Sequence, residues 1–250
     1  MEVVSWNLNG LEDADLDART EAAMTEILLG PDPMAAFSTG RGPPLPDVVL
    51  LQEVVERSLV AHIRPHLEAA GYAIVPHQPP SRSYFEVAAV RGLRIASAQV
   101  LPFPRTGQWR TLLELQLESG ERVLTAHLES LRPGRPVRLE QAAFVLDRLR
   151  SGAPAVFAGD TNLRVAEWKE LDGGGVEDAW VQAGSVPSER ATWAQMRFDR
   201  GWAVGMPAVT AFGRIGVEPV PGLGQTASDH RGIRFTLGRS PERGSSPRTR

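Results

Sequence analysis

Phe157-Ala158-Gly159-Asp160-Thr161-Asn162-Leu163-Arg164 is the stretch that decides how this chain is read. Apolar Ala153-Pro154-Ala155-Val156 leads into it from Ser151-Gly152, which predicts a buried strand. The strand should end at Gly159, where a side chain would block close approach of a backbone or a ligand. A carboxylate, a hydroxyl and an amide then follow in consecutive positions. Asp160 and Asn162 are two apart, and an extended backbone would send both side chains to one face. A carboxylate accepts a proton and an amide donates hydrogen bonds, so the pair suits gripping and deprotonating one water. The same residues also suit a plain loop whose carboxylate caps a helix starting near Val165. The rest of the chain has to decide.

Composition narrows the classes. The 250 residues, 42% of them hydrophobic, suffice for one large core. A net charge of -3 excludes a global basic field, although a local groove can still be basic. Arginine is the dominant cation, with lysine only at Lys169. The lack of cysteine excludes disulfides, disulfide-linked partners, thiolate metal sites and a thiol nucleophile. Met1 runs directly into Glu2-Val3-Val4-Ser5-Trp6, without a basic leader or a cleavage site. Nor is any apolar run long enough to span a bilayer. These features lead us to expect a soluble, cytoplasmic monomer.

Outward from the central strand, periodicity and turn residues lay out the elements. Glu2 to Trp6 predicts a strand closed by Asn7-Leu8-Asn9-Gly10, and Ala18 to Leu29 an amphipathic helix stopped by Gly30-Pro31. A Gly/Pro-rich loop spans 38–46, and the strand Asp47 to Leu51 carries Gln52-Glu53-Val54 at its end. A helix over 56–70 stops at Gly71. Strands follow at Tyr72–Val75, Tyr84–Val90, Leu93–Leu101, Trp109–Leu117 and Arg122–Ala126, with a helix over 138–150. Beyond the central strand come a short helix to Leu171, two strands within Ala203–Ile215 and a last strand, Arg231–Leu237. The order predicts an α/β four-layer sandwich, two mixed β-sheets packed face to face and flanked by helices. Residues 1–237 should form one catalytic domain. The stretch 238–250 has no large apolar residue and should be a disordered tail.

Polar residues collect at the strand ends: Asn7, Glu53, His127, Asp160, Asn162, Asp229 and His230. Strand ends are where α/β proteins mount sites on a rigid scaffold. Glu53, at the rim of a core, calls for a cation, and a hard ion such as Mg²⁺ or Mn²⁺ suits one or two carboxylates plus water. Asp229 offers a second oxygen ligand, while its neighbour His230 is suited to donate to a phosphate oxygen. Asp199, in Arg197-Phe198-Asp199-Arg200, is placed to hold one histidine tautomer. His62 and His66 stand four apart on a helix, but no glutamate lies between them as in the zinc-protease pattern, so a structural or solvent role is expected. Ser38 to Pro44 has two glycines but lacks the Lys and Ser/Thr of a phosphate-binding loop.

Five motifs occur in a fixed order: Trp6-Asn7, Leu51-Gln52-Glu53-Val54, His127-Leu128-Glu129-Ser130, Gly159 to Arg164, and Ser228-Asp229-His230. In this the chain resembles the endonuclease/exonuclease/phosphatase superfamily. Its spelling is most similar to the tyrosyl-DNA phosphodiesterase branch, which cleaves 5′-phosphotyrosyl links. Phe103-Pro104-Arg105-Thr106, Arg110, Leu112-Leu113 and Tyr84-Phe85 extend the likeness over residues 3 to about 237. The resemblance implies that Glu53, with Asn7 and Asp229 nearby, holds Mg²⁺. It implies that Asp160 and Asn162 activate and orient the attacking water, that His230 and His127 grip the phosphate, and that Asp199 orients His230. Ser130 and Arg164 match positions near the substrate phosphate. Arg110, Arg164 and Arg197 are the expected groove cations, with Tyr84, Phe85 or Trp193 as stacking faces for a terminal base.

Two departures from that pattern stand out. Only three residues separate Thr192-Trp193 from Arg197, where the family has a longer segment with contacts to single-stranded DNA. Val165 stands where the family has an acidic residue. The reading is a Mg²⁺-dependent phosphodiesterase, with Mn²⁺ as an alternative ion, acting on a blocked 5′ DNA end. The alternatives are a phosphodiesterase or phosphatase for a smaller substrate (a nucleotide, phospholipid head group or phosphoinositide) and a binding module without turnover.

Overall fold

Along β1 (Glu2–Asn7) and β2 (Val48–Val54) nearly every side chain is buried, and alternate ones enter different cores. Val3, Val48 and Leu50 face one way, whereas Val4, Trp6, Val49 and Leu51 face the other. A strand apolar on both faces needs cover on both faces. The computed structural model, which describes residues 1–32, 34, 43–152 and 154–238, supplies that cover.

The remaining strands are β3 (Tyr72–Val75), β4 (Phe85–Arg91), β5 (Ile95–Pro102), β6 (Thr111–Leu117), β7 (Arg122–Ala126) and β8 (Ala155–Asp160), then β9 (Glu177–Asp178), β10 (Asp199–Val204), β11 (Val209–Ile215) and β12 (Gly232–Leu237). Among the described residues they form two six-stranded mixed sheets, ordered β11-β12-β1-β2-β4-β3 and β5-β6-β7-β8-β10-β9. Val3, Val48, Leu50, Leu115, Val156 and Ala158 fill the space between the sheets. Helix α1 (Leu16–Leu29) covers the outside of the first sheet with Ala23, Met24 and Ile27. The long helix α4 (Arg135–Arg150) covers the second with Ala142, Val145 and Leu149. The layers are therefore α/β/β/α, as the element order predicted. Each such leucine or valine contributes roughly 1.5–3 kcal/mol through its burial.

One feature of topology positions the site. Each sheet contains one parallel pair, β1 with β2 and β7 with β8, flanked by antiparallel strands. The carboxyl ends of the parallel pairs and the starts of β10 and β12 share one edge of the sandwich. Gly159 makes the β7–β8 approach possible, since a Cβ there would stand 2.3 Å from the Ala126 carbonyl oxygen.

Several element boundaries differ from the reading of the sequence. The helix over 56–70 is α-helical at Glu56–Ser58 (α2), π-helical at Leu59–Ile63 and α-helical again at Arg64–Ala69 (α3). Pro65 lacks the N–H that an unbroken helix needs, and the wide turn sits just before it. β10 begins at Asp199, not at Ala203. Asp199-Arg200-Gly201 looks like a loop, yet it pairs with β8 in the register Asp199↔Asp160, and Gly201 makes room for the Phe235 ring. β9 and the short helix α6 (Ala179–Gln182) were too brief for any periodicity to show. Helix α5 (Val165–Trp168) stops short of Leu171. Most of the 38–46 loop, Ala153 and all but the first residue of the expected tail lie outside the described residues. Gly238 itself donates its N–H to the Ala208 carbonyl. None of the described helices is long and apolar enough to cross a membrane.

Candidate active site

β8 ends at Asp160, which is buried at the meeting of the two sheets. Its Oδ2 accepts from Asn7 Nδ2 at 3.0 Å and lies 3.1 Å from His127 Nε2. Its Oδ1 accepts the Asn162 backbone N–H at 2.9 Å. Asp160 therefore does not cap helix α5; Glu167 takes that role, accepting the Arg164 N–H at 2.8 Å. Asn162 does not continue an extended strand either, because its φ is 51°. The tight turn, not strand alternation, brings its amide back to the site, where Nδ2 lies 3.0 Å from His127 Nε2.

His127 follows β7 and pairs with Asp160 as an isolated bridge. Arg110 Nη1 approaches His127 Nδ1 at 2.7 Å, closer than Glu53 Oε1 at 3.4 Å. A guanidinium only donates, so Nδ1 is assigned as acceptor and Nε2 as the protonated nitrogen, which donates to Asp160; the Asn162 Nδ2 amide then donates to the Leu128 carbonyl at 3.3 Å and not to His127. On the other flank, His230 Nδ1 donates to Asp199 Oδ2 at 2.8 Å, and its Nε2 lies 3.7 Å from Asp160 Oδ2. The loop before β12 is pinned, with Ser228 Oγ donating to the Asn7 carbonyl at 2.6 Å and Trp6 Nε1 donating to the His230 carbonyl at 3.1 Å.

Electrostatics follow from this packing. Burial alone would raise the Asp160 carboxyl, but His127, His230 and the Asn7 hydrogen bond outweigh it and hold it well below the usual carboxylate range. Burial would lower His230, but Asp199 and Asp160 more than offset that and push it up to about 10. The centre is thus an ionised carboxylate beside an imidazolium that Asp199 keeps in place.

Glu53 occupies an irregularity between Leu51 and Val54 in the β2–β4 pairing, with φ 51°. The left-handed backbone is costly for a glutamate and turns its carboxylate toward His127. Gly10 N–H donates to the Glu53 carbonyl at 3.1 Å, which holds the turn. Glu53 keeps partial solvent access and offers two oxygens, the donor set a hard divalent ion needs, so its carboxylate fits such an ion. Asn7 is engaged at both ends, since its Oδ1 accepts the Asn9 N–H at 3.0 Å. Asp229 is exposed and accepts Trp193 Nε1 at 2.9 Å, which places it on the rim and not within the His127–Asp160–His230 cluster. The carboxylate that does join the cluster is Asp199: an oxygen or nitrogen from each of Asp160, Asp199 and His230 lies within 4.8 Å of the others.

The expected substrate groups divide. Arg110 stacks over the Tyr84 ring, its guanidinium carbon 4.8 Å from the centroid, and Tyr84 is only half-buried. Ser130 is held through Gln108, whose Oε1 accepts the Ser130 N–H at 2.8 Å. Arg164 lies over Phe198, and Trp193 stacks on the same ring at 5.6 Å with its outer face open. Arg197 is different. It is buried, bidentate to Asp178 at 2.7 and 2.8 Å, and covered by Trp180, so it locks the scaffold and offers no charge to the groove. Phe85 is likewise turned into the core and offers no stacking face.

The sequence reading also missed two residues. Gln52 Nε2 donates to Thr125 Oγ1 at 2.9 Å and Ser5 Oγ at 3.0 Å, tying the two sheets together beneath the site. Gln108 braces Ser130 from a loop with no regular pattern. For the first the signals were a polar residue in the apolar run Leu50-Leu51-Gln52 and its place in the Leu51-Gln52-Glu53-Val54 motif; the second left none.

Residues 4–230 match the endonuclease/exonuclease/phosphatase family. The chain belongs to that family. It is similar to the 5′-tyrosyl-DNA phosphodiesterase of Caenorhabditis elegans, 30% identical over 95% of this chain and 67% of the relative. It is also similar to tyrosyl-DNA phosphodiesterase 2 of Danio rerio, 30% identical over 95% of this chain and 66% of that protein. The chain thus spans about two thirds of the length of these relatives. Among solved structures, truncated C. elegans TDP2 superposes with a TM-score of 0.79 at 30% identity, over 95% of this chain and 97% of that one. D. rerio TDP2 complexed with single strand DNA product gives 0.79 at 28% identity, over 96% and 99%. As a member of this family similar to tyrosyl-DNA phosphodiesterases, the chain is a phosphodiesterase-class hydrolase of the divalent-metal-dependent kind.

Proposed function

We propose that this family member is a Mg²⁺-dependent phosphodiesterase that hydrolyses the bond blocking a 5′ DNA end, and that it acts as a cytoplasmic monomer. The observation that carries the chemistry is the convergence of Asp160, Asn162, His127 and the Asp199-held His230 on one point at the sandwich edge. The substrate class rests on the relatives, whose names specify tyrosyl-DNA links.

Glu53 would hold the metal, with Asp229 on the rim as the second candidate ligand. A bound Mg²⁺ supplies positive charge to the phosphoryl oxygens. The protein groups do the rest. His230 presents Nε2–H to one phosphoryl oxygen while Asp199 keeps its Nδ1 proton in place. His127 presents Nε2–H to another. A phosphate entering between them draws both imidazoles away from Asp160, and the 3.7 Å separation of His230 Nε2 from Asp160 shows how loose that contact already is. Relieved of them, Asp160 becomes a better acceptor for the proton of a water that the Asn162 amide orients. The water oxygen bonds to phosphorus and the bond to the leaving oxygen breaks.

The test compares kcat/KM on a 5′-tyrosyl oligonucleotide, thymidine 5′-(p-nitrophenyl phosphate) and an inositol phosphate, with Mg²⁺ and with EDTA. Turnover of the oligonucleotide should lead and EDTA should abolish it. Full activity in EDTA would remove Glu53 from its role; turnover of only the small esters would remove the DNA end.

A further inference from the structure

We propose that Glu21 of α1 and His62 and His66 of the helix facing it bind a divalent transition-metal ion, Zn²⁺ by the chemistry of the donors. The site belongs to the outer helical layer of the first sheet, where α1 and the Leu59–Ala69 segment pack side by side, and takes no part in the phosphate chemistry.

The histidine pair has no carboxylate partner in its own segment, and the fold supplies two from α1. Asp17 and Glu21 lie four apart on that helix, one above the other. Both imidazoles reach the one glutamate: His62 Nδ1 lies 3.1 Å from Glu21 Oε2, and His66 Nε2 lies 2.9 Å from Glu21 Oε1. Their second nitrogens are engaged as well. His66 Nδ1 lies 2.8 Å from the His62 carbonyl, and His62 Nε2 lies 3.3 Å from Asp17 Oδ1.

All four of these partners are acceptors. A neutral imidazole has one N–H and one lone pair, so each ring can satisfy only one of its two oxygens. His66 Nδ1 must donate to the carbonyl, which leaves the Nε2 lone pair aimed at a carboxylate oxygen. His62, between two carboxylates, meets the same conflict. Asp17 pairs with Arg57, yet its Oδ1 is shut off from water and accepts no hydrogen bond. Positive charge placed between the rings and Glu21 resolves the conflict.

An extra proton on each ring would serve, but two features favour a single ion. Nitrogen and oxygen ligands of one Zn²⁺ ion stand about 2.9–3.4 Å from each other, the separation that the Glu21 contacts already show. A metal-bound imidazole also donates its other N–H to a carboxylate or a backbone carbonyl, and Asp17 and the His62 carbonyl are placed to accept. Imidazole with carboxylate suits Zn²⁺ and its first-row neighbours, whereas Mg²⁺ prefers oxygen alone. The Glu21 carboxylate spans the rings with one oxygen to each, and only Asp160, Asp199 and His230 among the described residues already bring three ligand atoms within 4.8 Å of one another. The ion therefore draws His62 Nδ1 and His66 Nε2 together, a rotation open to these partly exposed side chains. Because α1 follows β1 and α2 follows β2, the bound ion ties together the segments that leave Asn7 and Glu53.

The experiment titrates chelator-treated protein with Zn²⁺ by calorimetry, with Mg²⁺ in excess, and follows its melting with and without Zn²⁺. The unaltered protein should take up one equivalent more than the His62→Gln/His66→Gln variant. At free Zn²⁺ a hundredfold above the dissociation constant of that equivalent, its Tm should rise by about 5 °C or more beyond any rise in the variant. Glu21→Gln, which keeps both imidazoles, should weaken that equivalent by about tenfold or more. Turnover of the thymidine p-nitrophenyl ester in Mg²⁺ alone should be the same in all three proteins. Equal uptake and an equal rise in Tm for the unaltered protein and the double variant overturn the site, with Zn²⁺ then held only at the Asp160 cluster. Unaltered affinity in Glu21→Gln overturns it independently, and neither result touches the phosphodiesterase reading.

Discussion

At Asp160 one buried carboxylate is met by Asn7, Asn162, His127 and, more loosely, His230. Asp160→Asn keeps the shape and removes the proton acceptor, so kcat should fall by about a thousandfold or more with little change in KM. Steady-state kinetics check this, and a variant with unaltered kcat would assign the water to another base. For His230, burial acts downward, but Asp199 and Asp160 raise it to about 10. The sign of the linkage follows: the stabilisation is complete below the unfolded value near 6.5 and is lost as pH rises through about 10. Asp160 acts in the opposite sense. Its depressed carboxyl stabilises the fold above the ordinary carboxylate range, and that contribution is lost in acid. Asp199→Asn removes the main upward influence on His230. The alkaline limb of kcat against pH should then move down by about one unit or more, with activity near pH 6 least affected. A pH–rate profile reads this, and an unmoved limb would show that Asp199 has only a structural role.

At the scale of elements, the site depends on how two sheets are locked at one edge. The parallel pairs β1/β2 and β7/β8 carry Asn7, Glu53, His127 and Asp160, and Gln52 joins the pairs through Ser5 and Thr125. Gln52→Leu leaves those two hydroxyls without their buried partner, which should cost about 1–3 kcal/mol and lower Tm. It should also reduce kcat, because the edges that hold Glu53 and Asp160 lose their tie. Thermal melts and kinetics on the same variant check both, and a change in neither would show the network to be incidental. On the outer layer, the buried Arg138–Glu167 pair at 2.6 Å fastens α4 to α5 and so holds the end of the Asp160-to-Arg164 loop.

At the scale of the molecule, a net charge of -3 gives no long-range pull toward DNA. Arg197, turned inward to Asp178, subtracts from the cations expected in the groove. The turn of Trp193–Met196, closed by reciprocal backbone bonds, presents a short wall in place of a long one. Binding of a single strand should therefore neutralise only two or three phosphates, with log K falling against log salt at about 0.7 per phosphate. Fluorescence titration of a labelled oligonucleotide at several salt concentrations measures the slope. A slope of five or more on that scale would require a basic surface that these residues do not form.

The sequence alone determined the layers and the polar groups that gather at one edge of them. Continuous apolar runs such as Val48 to Leu51 demand cover on both faces, and five ordered motifs sit at strand ends, so the sandwich and the Asp160, Asn162, His127, His230 and Asp199 cluster were legible from local pattern. What each polar residue faces was not legible. Arg164 and Arg197 look alike in the chain, yet one lies half-exposed over Phe198 and the other is sealed against Asp178. Asp229 and Asp199 are both motif carboxylates, yet the first accepts from Trp193 at the rim while the second holds His230 inside. Asn162 reaches the site through a left-handed turn that strand periodicity does not contain. The physical reason is common to these cases. Periodicity reports how a segment meets water, whereas a charge's partner is set by segments far away in the chain, and only the packing of β8 against β7, β10 and the His230 loop brings those partners within hydrogen-bond reach.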